Sequence, residues 1–141
     1  MLIVVDTNVF VGACMGTGAS GAVIKACLLG EHIPLMGNAL FAEYEDVMGR
    51  VALFRKCRLS VIERDELLDI FLATCRWTRI YFGWRPNLPD EGDNHLVELA
   101  VAGGAERIVT YNLRDLRNME LKFPELAAVT PAQFLREVFK T

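Results

Sequence analysis

A chain of 141 residues falls within the size of one domain, long enough to bury about two thirds of its unfolded surface in a single core. With 52% hydrophobic and 23% charged residues it is neither disordered nor fibrous, and the apolar start at Leu2 meets Asp6 too early for a signal peptide or a membrane span, so a cytoplasmic protein without membrane contact is expected. A formal net charge of -3 excludes a pull on nucleic acid by bulk charge, so a polyanion partner would need local cations or metal ions.

Leu2-Ile3-Val4-Val5 runs without interruption into Asp6-Thr7-Asn8. Such a run suits a strand buried on both faces of a parallel sheet, and ligands of open α/β sheets gather at the carboxyl ends of such strands. Asp6 therefore stands where chemistry is usually found, although a carboxylate there also serves as a cap or turn residue. Residues 12–18 hold three glycines and are expected to form no element. A helix follows from Ser20 as cap to Gly30 as stop. The glycines lack the phosphate-cradle spacing GxxxxGK[ST].

Ile33-Pro34-Leu35-Met36 suits a second strand, with Pro34 arguing for an edge or a strand start. Asn38 is expected to cap a helix from Ala39 to about Gly49, whose stripe is Leu40, Phe41, Tyr44, Val47 and Met48. Glu43 and Glu45 fall on opposite edges of that stripe, and periodicity does not choose between them. Arg50, Arg55, Lys56 and Arg58 interleave with Val51, Leu53 and Phe54; they are a solvated linker or a phosphate-contacting patch. Ser60-Val61-Ile62-Glu63 reads as a capping box opening a core helix to about Arg76. Trp77 to Trp84 reads as a third strand whose tryptophans pack against helices.

Pro86 to Asn94 is turn chemistry leading into a helix from His95 to Gly103. Asp93 projects on the buried side of its first turn, and Asp90 and Asp93 together exceed what capping requires. Arg107 to Tyr111 is the fourth strand and also ends in polar residues, Asn112 and then Asp115. Ala127-Ala128-Val129 adds a short fifth strand, and Thr130-Pro131 opens the last helix. Alternating strands and helices predict a three-layer α/β/α fold with a parallel sheet of four to five strands. Cys14, Cys27, Cys57 and Cys75 lack zinc-ligand spacing and are expected to be reduced and structural.

Asp6-Thr7-Asn8 after the first strand, Glu43 in a helix, Asp90-x-x-Asp93-Asn94 opening a helix and Ile108 to Asp115 on a late strand together resemble the PIN-domain ribonucleases, over almost the whole chain. The resemblance implies a single PIN-like domain over 1–141 that hydrolyses RNA with Mg²⁺ or Mn²⁺. It places Asp6, Glu43 and Asp93 as the catalytic acids, with Asp90 as a further metal ligand, and so selects Glu43 over Glu45. Thr7, Asn8, Thr110, Asn112 and Asp115 become accessory residues. Asn112 stands where many members carry a fourth aspartate, which bears on whether one metal or two is held. VapC-like toxins of the family further imply a small antitoxin partner and a homodimer; apolar residues set among cations can be neither fully buried nor fully wet, which puts the docking face on the helices around Val23, Leu53 and Phe54.

Elementary chemistry agrees. Carboxylates converging on one rim repel each other unless a hard divalent cation neutralises them, and all-oxygen ligation suits Mg²⁺ or Mn²⁺ over zinc. Two rivals share the first strand: a Mg²⁺-dependent phosphotransferase or phosphatase, which lacks its D-x-D and a lysine partner here, and a PIN-like module that binds without cleaving.

Overall fold

The computed structural model describes residues 1–16, 18–80, 94–116 and 123–139. Its elements in order are β1 (Leu2–Val5), α1 (Thr7–Cys14), α2 (Gly18–Leu28), β2 (Ile33–Met36), α3 (Asn38–Met48), the 3-10 turn η1 (Val51–Phe54), α4 (Val61–Thr74) and β3 (Arg76–Trp77). Then come α5 (Asn94–Gly103), β4 (Arg107–Val109), the 3-10 turn η2 (Arg114–Leu116), β5 (Ala127–Val129) and α6 (Pro131–Phe139).

Ile3, Val4 and Val5 are fully buried, and since successive strand side chains point to opposite faces, β1 must be covered on both. The described strands form one parallel sheet in the order β3-β2-β1-β4-β5. On one face α5 packs against β1, β2 and β4; α4 lies against β2 and, with α1 and α6, against α2. This is the expected three-layer α/β/α arrangement. From β1 the chain steps outward to β2 and β3, then returns to add β4 and β5 on the other side. The strand order thus reverses between β1 and β4, the place where open α/β sheets bind ligands.

Several local expectations need correction. Residues 12–14 belong to α1, because Val9, Phe10 and Cys14 recur at helical spacing and bury; that packing outweighs the roughly 1 kcal/mol that Gly12 costs a helix interior. Ser20 lies inside α2 rather than capping it, fully buried. Gly37, not Asn38, is the N-cap of α3, with no side-chain bond to its first turn. The helix after Ser60 stops at Thr74, and the third strand is only Arg76–Trp77; positions 81–84 lie outside the described residues. Pro34 is tolerated in an inner strand because the β2–β3 ladder begins one residue later, at Leu35 and Arg76. No single described helix is long and apolar enough to cross a membrane.

The helix starts at Ser60 and Thr130 are realised, each as a reciprocal pair of bonds. Ser60 Oγ accepts from Glu63 N at 3.1 Å while Glu63 Oε1 accepts from Ser60 N at 2.9 Å, and Thr130 and Gln133 exchange the same pair of bonds at 3.2 and 2.9 Å. The four cysteines are free thiols; burial pushes Cys14 up to about 11 and Cys27 and Cys75 up to about 12, so they are held as inert thiols.

Beneath the carboxyl rim, Phe10, Tyr44 and Phe71 form a fully buried aromatic cluster with ring centroids 5.4–5.9 Å apart, joining α1, α3 and α4. The Tyr44 hydroxyl donates to the Val5 carbonyl at 2.8 Å, pinning α3 to the last residue of β1. Tyr44→Phe leaves the ring in place but removes the donor. A loss of about 1–3 kcal/mol is expected, read as a melting temperature lower by roughly 3–10 °C. A Tyr44→Phe protein that melts with the parent would show that this bond does not hold the helix.

Candidate active site at the carboxyl ends of β1 and β4

Register brings the first two site residues together. Val5 pairs with Val109, so the next residues, Asp6 and Thr110, lie side by side where both strands end. The ladder continues into them, with Asp6 N donating to Val109 O at 3.0 Å and Thr110 N to Val129 O at 2.9 Å. Asp6 is also the N-cap of α1: its Oδ1 accepts from Thr7 N at 2.8 Å. Cap and rim carboxylate are therefore one residue, not alternatives.

The other oxygen is held from the side. Thr110 Oγ1 donates to Asp6 Oδ2 at 2.8 Å and accepts from Asn112 N at 3.0 Å; Asn8 Nδ2 lies 3.3 Å from Asp6 Oδ2 and 3.4 Å from Thr110 Oγ1. Asn8 Oδ1 in turn accepts from Tyr111 N at 3.3 Å, and the Tyr111 hydroxyl lies 2.6 Å from Ser20 Oγ. Thr110 is thus the hub that joins the ends of β1 and β4, and Asn8 locks the turn after β4 onto the first turn of α1.

Glu43 arrives from α3, carried by the neighbouring Tyr44 anchor. Thr7 Oγ1 lies 3.5 Å from both Asp6 Oδ1 and Glu43 Oε1, so one hydroxyl sits between the two carboxylates. Glu45 is exposed and takes no part. His95, in the first turn of α5, places Nε2 2.7 Å from Glu43 Oε2, an ion pair whenever the imidazole is protonated. Burial raises the Asp6 carboxyl from its ordinary 3.8, opposed by the Thr110 hydrogen bond; the Glu43 charge raises it further, and the Thr7 N–H and His95 lower it.

Asp90 and Asp93 lie outside the described residues, as does the side chain of Asp115. Among the described residues no three His, Cys, Asp or Glu side chains are placed to hold a metal ion. Asp6 and Glu43 nevertheless suit a hard cation: one carboxylate is buried and raised, a second adds to its repulsion, and both offer only oxygen. Of the basic residues, Arg50 is engaged with Asp46 at 2.6 Å, whereas Arg55, Lys56 and Arg58 are exposed. The sequence marks His95 only as the start of a helix and gives it no part in the site; its position two residues after Asp93 is the available signal.

A parallel α/β sheet with a buried aspartate at its reversal point, a glutamate facing it and a Thr-Asn clamp around it defines a class of acidic-rim α/β proteins. Within that class, the PIN domain family model matches residues 2–114, and the chain belongs to that family. No curated protein matches the sequence. Among solved structures it is similar to VapBC2 from Rickettsia felis, determined bound to a DNA fragment from its promoter, with 17% identity and a TM-score of 0.60 over 91% of this chain and 97% of that one. At that identity the likeness is one of fold.

Proposed function

We propose that the chain is a divalent-metal-dependent endoribonuclease and the toxin of a toxin–antitoxin pair. The observation that carries this is the buried Asp6 carboxylate, fixed by Thr7, Asn8 and Thr110 at the sheet's reversal point with Glu43 across from it. Membership of the PIN-domain family and the fold shared with a VapBC complex support the reading.

Of the proposed ligands for Mg²⁺ or Mn²⁺, Asp6 and Glu43 lie among the described residues, and Asp93 and Asp90 would complete the set by their place in the motif. When bound, such a cation supplies positive charge to the phosphate and acidity to water. The chain's own part is geometric. Thr110 and Asn8 hold Asp6 in one rotamer, Tyr44 holds the helix that carries Glu43, and Thr7 sits between the two acids. Asn112 and Asp115 belong to the turn that closes the β4 side. Of the basic patch on η1 and the loop after it, Arg55, Lys56 and Arg58 are exposed and contact the RNA backbone. The direct test is cleavage of generic RNA with Mg²⁺, Mn²⁺ or excess chelator; no cleavage with either ion would reject the enzyme and favour a binding module.

Metal should also stabilise the fold. The folded Asp6 holds its proton more tightly than the unfolded one, so the metal-free protein loses stability as pH rises from about 4 through the raised value and stays destabilised above it. Mn²⁺ at about a hundred times its dissociation constant contributes about 2.7 kcal/mol. A rise of several degrees in melting temperature is therefore expected at pH 7.5, vanishing near pH 4. Equal melting curves with and without millimolar Mn²⁺ at pH 7.5 would count against the site.

Of the three residues expected to mark a docking face, only Leu53 is exposed. Val23 and Phe54 are buried in the core, so neither docks anything; Arg64 stacks over the Phe54 ring at 4.4 Å. Leu53, Val51, Val61 and Ile62 remain exposed on η1 and the start of α4, and we assign the antitoxin-facing or dimer surface there. Light scattering that gives a monodisperse monomer across a wide concentration range would remove the homodimer.

A further inference from the structure

A pocket of about 840 Å³ opens at the carboxyl ends of β2 and β3, lined by Asn38, Trp77, Arg79, Ile80 and Glu98 among others. The described strands all run parallel, so this pocket lies on the same rim as Asp6, two strands away. At the usual spacing between neighbouring strands the two places are about 10 Å apart. Its volume is in the ordinary range for small ligands.

The lining is unusual for a surface that only packs. Trp77 is 51% exposed, and among the described residues its ring contact is edge-type, to Phe41 at 5.5 Å and 67°, which leaves the face of the indole free of those residues' rings. Arg79 and Glu98 share the pocket, yet among the described residues neither they nor Asn38 forms an ion pair or side-chain hydrogen bond. The N-terminus of α3 also reaches the pocket through Asn38 and Ala39, uncapped by any side chain. Gly37 makes this approach possible, since a Cβ there would meet Leu99 Cδ1 at 3.3 Å and Thr78 O at 3.4 Å.

We infer that this pocket binds one nucleotide of single-stranded RNA beside the cleavage site and prefers guanine. The inference rests on the ribonuclease reading for its substrate class and names what that site reads. Trp77 supplies a flat face for the base, as aromatic platforms do in single-strand binders. Arg79 and the open amides of α3 face the phosphate. A carboxylate accepts hydrogen bonds only, so Glu98 selects a base edge with two adjacent N–H donors. Guanine presents that edge, and the Asn38 amide is the donor for its carbonyl; uracil offers a single N–H.

The test uses the full chain carrying Trp84→Phe, in which Trp77 is the remaining tryptophan. In excess EDTA, so that nothing is cleaved, its fluorescence is titrated with a uridine hexanucleotide and with the same oligomer holding one guanosine. Quenching is expected, with the guanosine oligomer binding at least about fivefold tighter, the lower end for a bidentate base contact. On this background Glu98→Gln should reduce that preference below about twofold. By anisotropy of a labelled oligomer, Trp77→Ala should weaken binding about tenfold and Trp77→Phe should recover most of it. Unchanged affinity in Trp77→Ala, or a guanine preference that survives Glu98→Gln, overturns the assignment. Trp77-dependent binding in a protein that cleaves no RNA with any metal upholds the pocket and removes the ribonuclease; metal-dependent cleavage with affinity unmoved by Trp77→Ala does the reverse.

Discussion

Asp6→Asn is expected to lower metal-dependent RNA cleavage by more than about 100-fold, the upper end of what even an outer partner of a metal site costs. On the proposed reading the substitution removes a ligand charge, and it removes no core contact. Its folded state should not suffer: burial and the Glu43 charge both act against the Asp6 carboxylate, so a neutral amide relieves a strain that the metal-free protein carries at neutral pH. The variant should keep the parent's circular dichroism and, without metal, melt no lower at pH 7.5. It should also lose the melting-temperature gain from Mn²⁺. Undiminished turnover by a homogeneous Asp6→Asn sample would place the chemistry elsewhere.

Phe10→Ala should be the most destabilising single change in this part of the core. Phe10 is fully buried and touches both Tyr44 and Phe71, so its removal empties the centre of the cluster beneath the rim. The expected cost is about 3–5 kcal/mol, a large share of the 5–15 kcal/mol that holds a typical domain folded. Urea unfolding should show a lower midpoint at unchanged slope. A loss under about 1 kcal/mol would mean that the neighbouring helices close over the gap and that the cluster does not set their spacing. Because Tyr44 and its bond to Val5 belong to the same cluster, activity should fall with stability even though Phe10 is no part of the site.

Sequence by itself determined the polar end of the first strand, Asp6, because an unbroken apolar run fits a strand covered on both faces and its first polar residue must mark the rim; the fourth strand it carried on to Tyr111 with Asn112 as its polar end, whereas β4 stops at Val109 and Thr110 takes the rim position, since the length of β4 is set by its pairing with β1. It also determined the Ser60–Glu63 capping box, the helix start at Thr130 and the alternation that yields a three-layer fold, since caps and periodicity are set within a few residues of chain. Tertiary structure decided the rest. Residues 12–14 are helical because Phe10 and Cys14 bury against distant partners, and local glycine content does not register that. Glu43 meets Asp6 and Glu45 does not, because strand order puts the head of α3 beside the end of β1; a helix's own periodicity states which face is apolar, not what will lie against its edges. His95 reaches Glu43, and Trp77 stays half exposed beside Arg79 and Glu98, for the same reason. Contacts between residues tens of positions apart follow from the order of strands in the sheet, which no local pattern encodes.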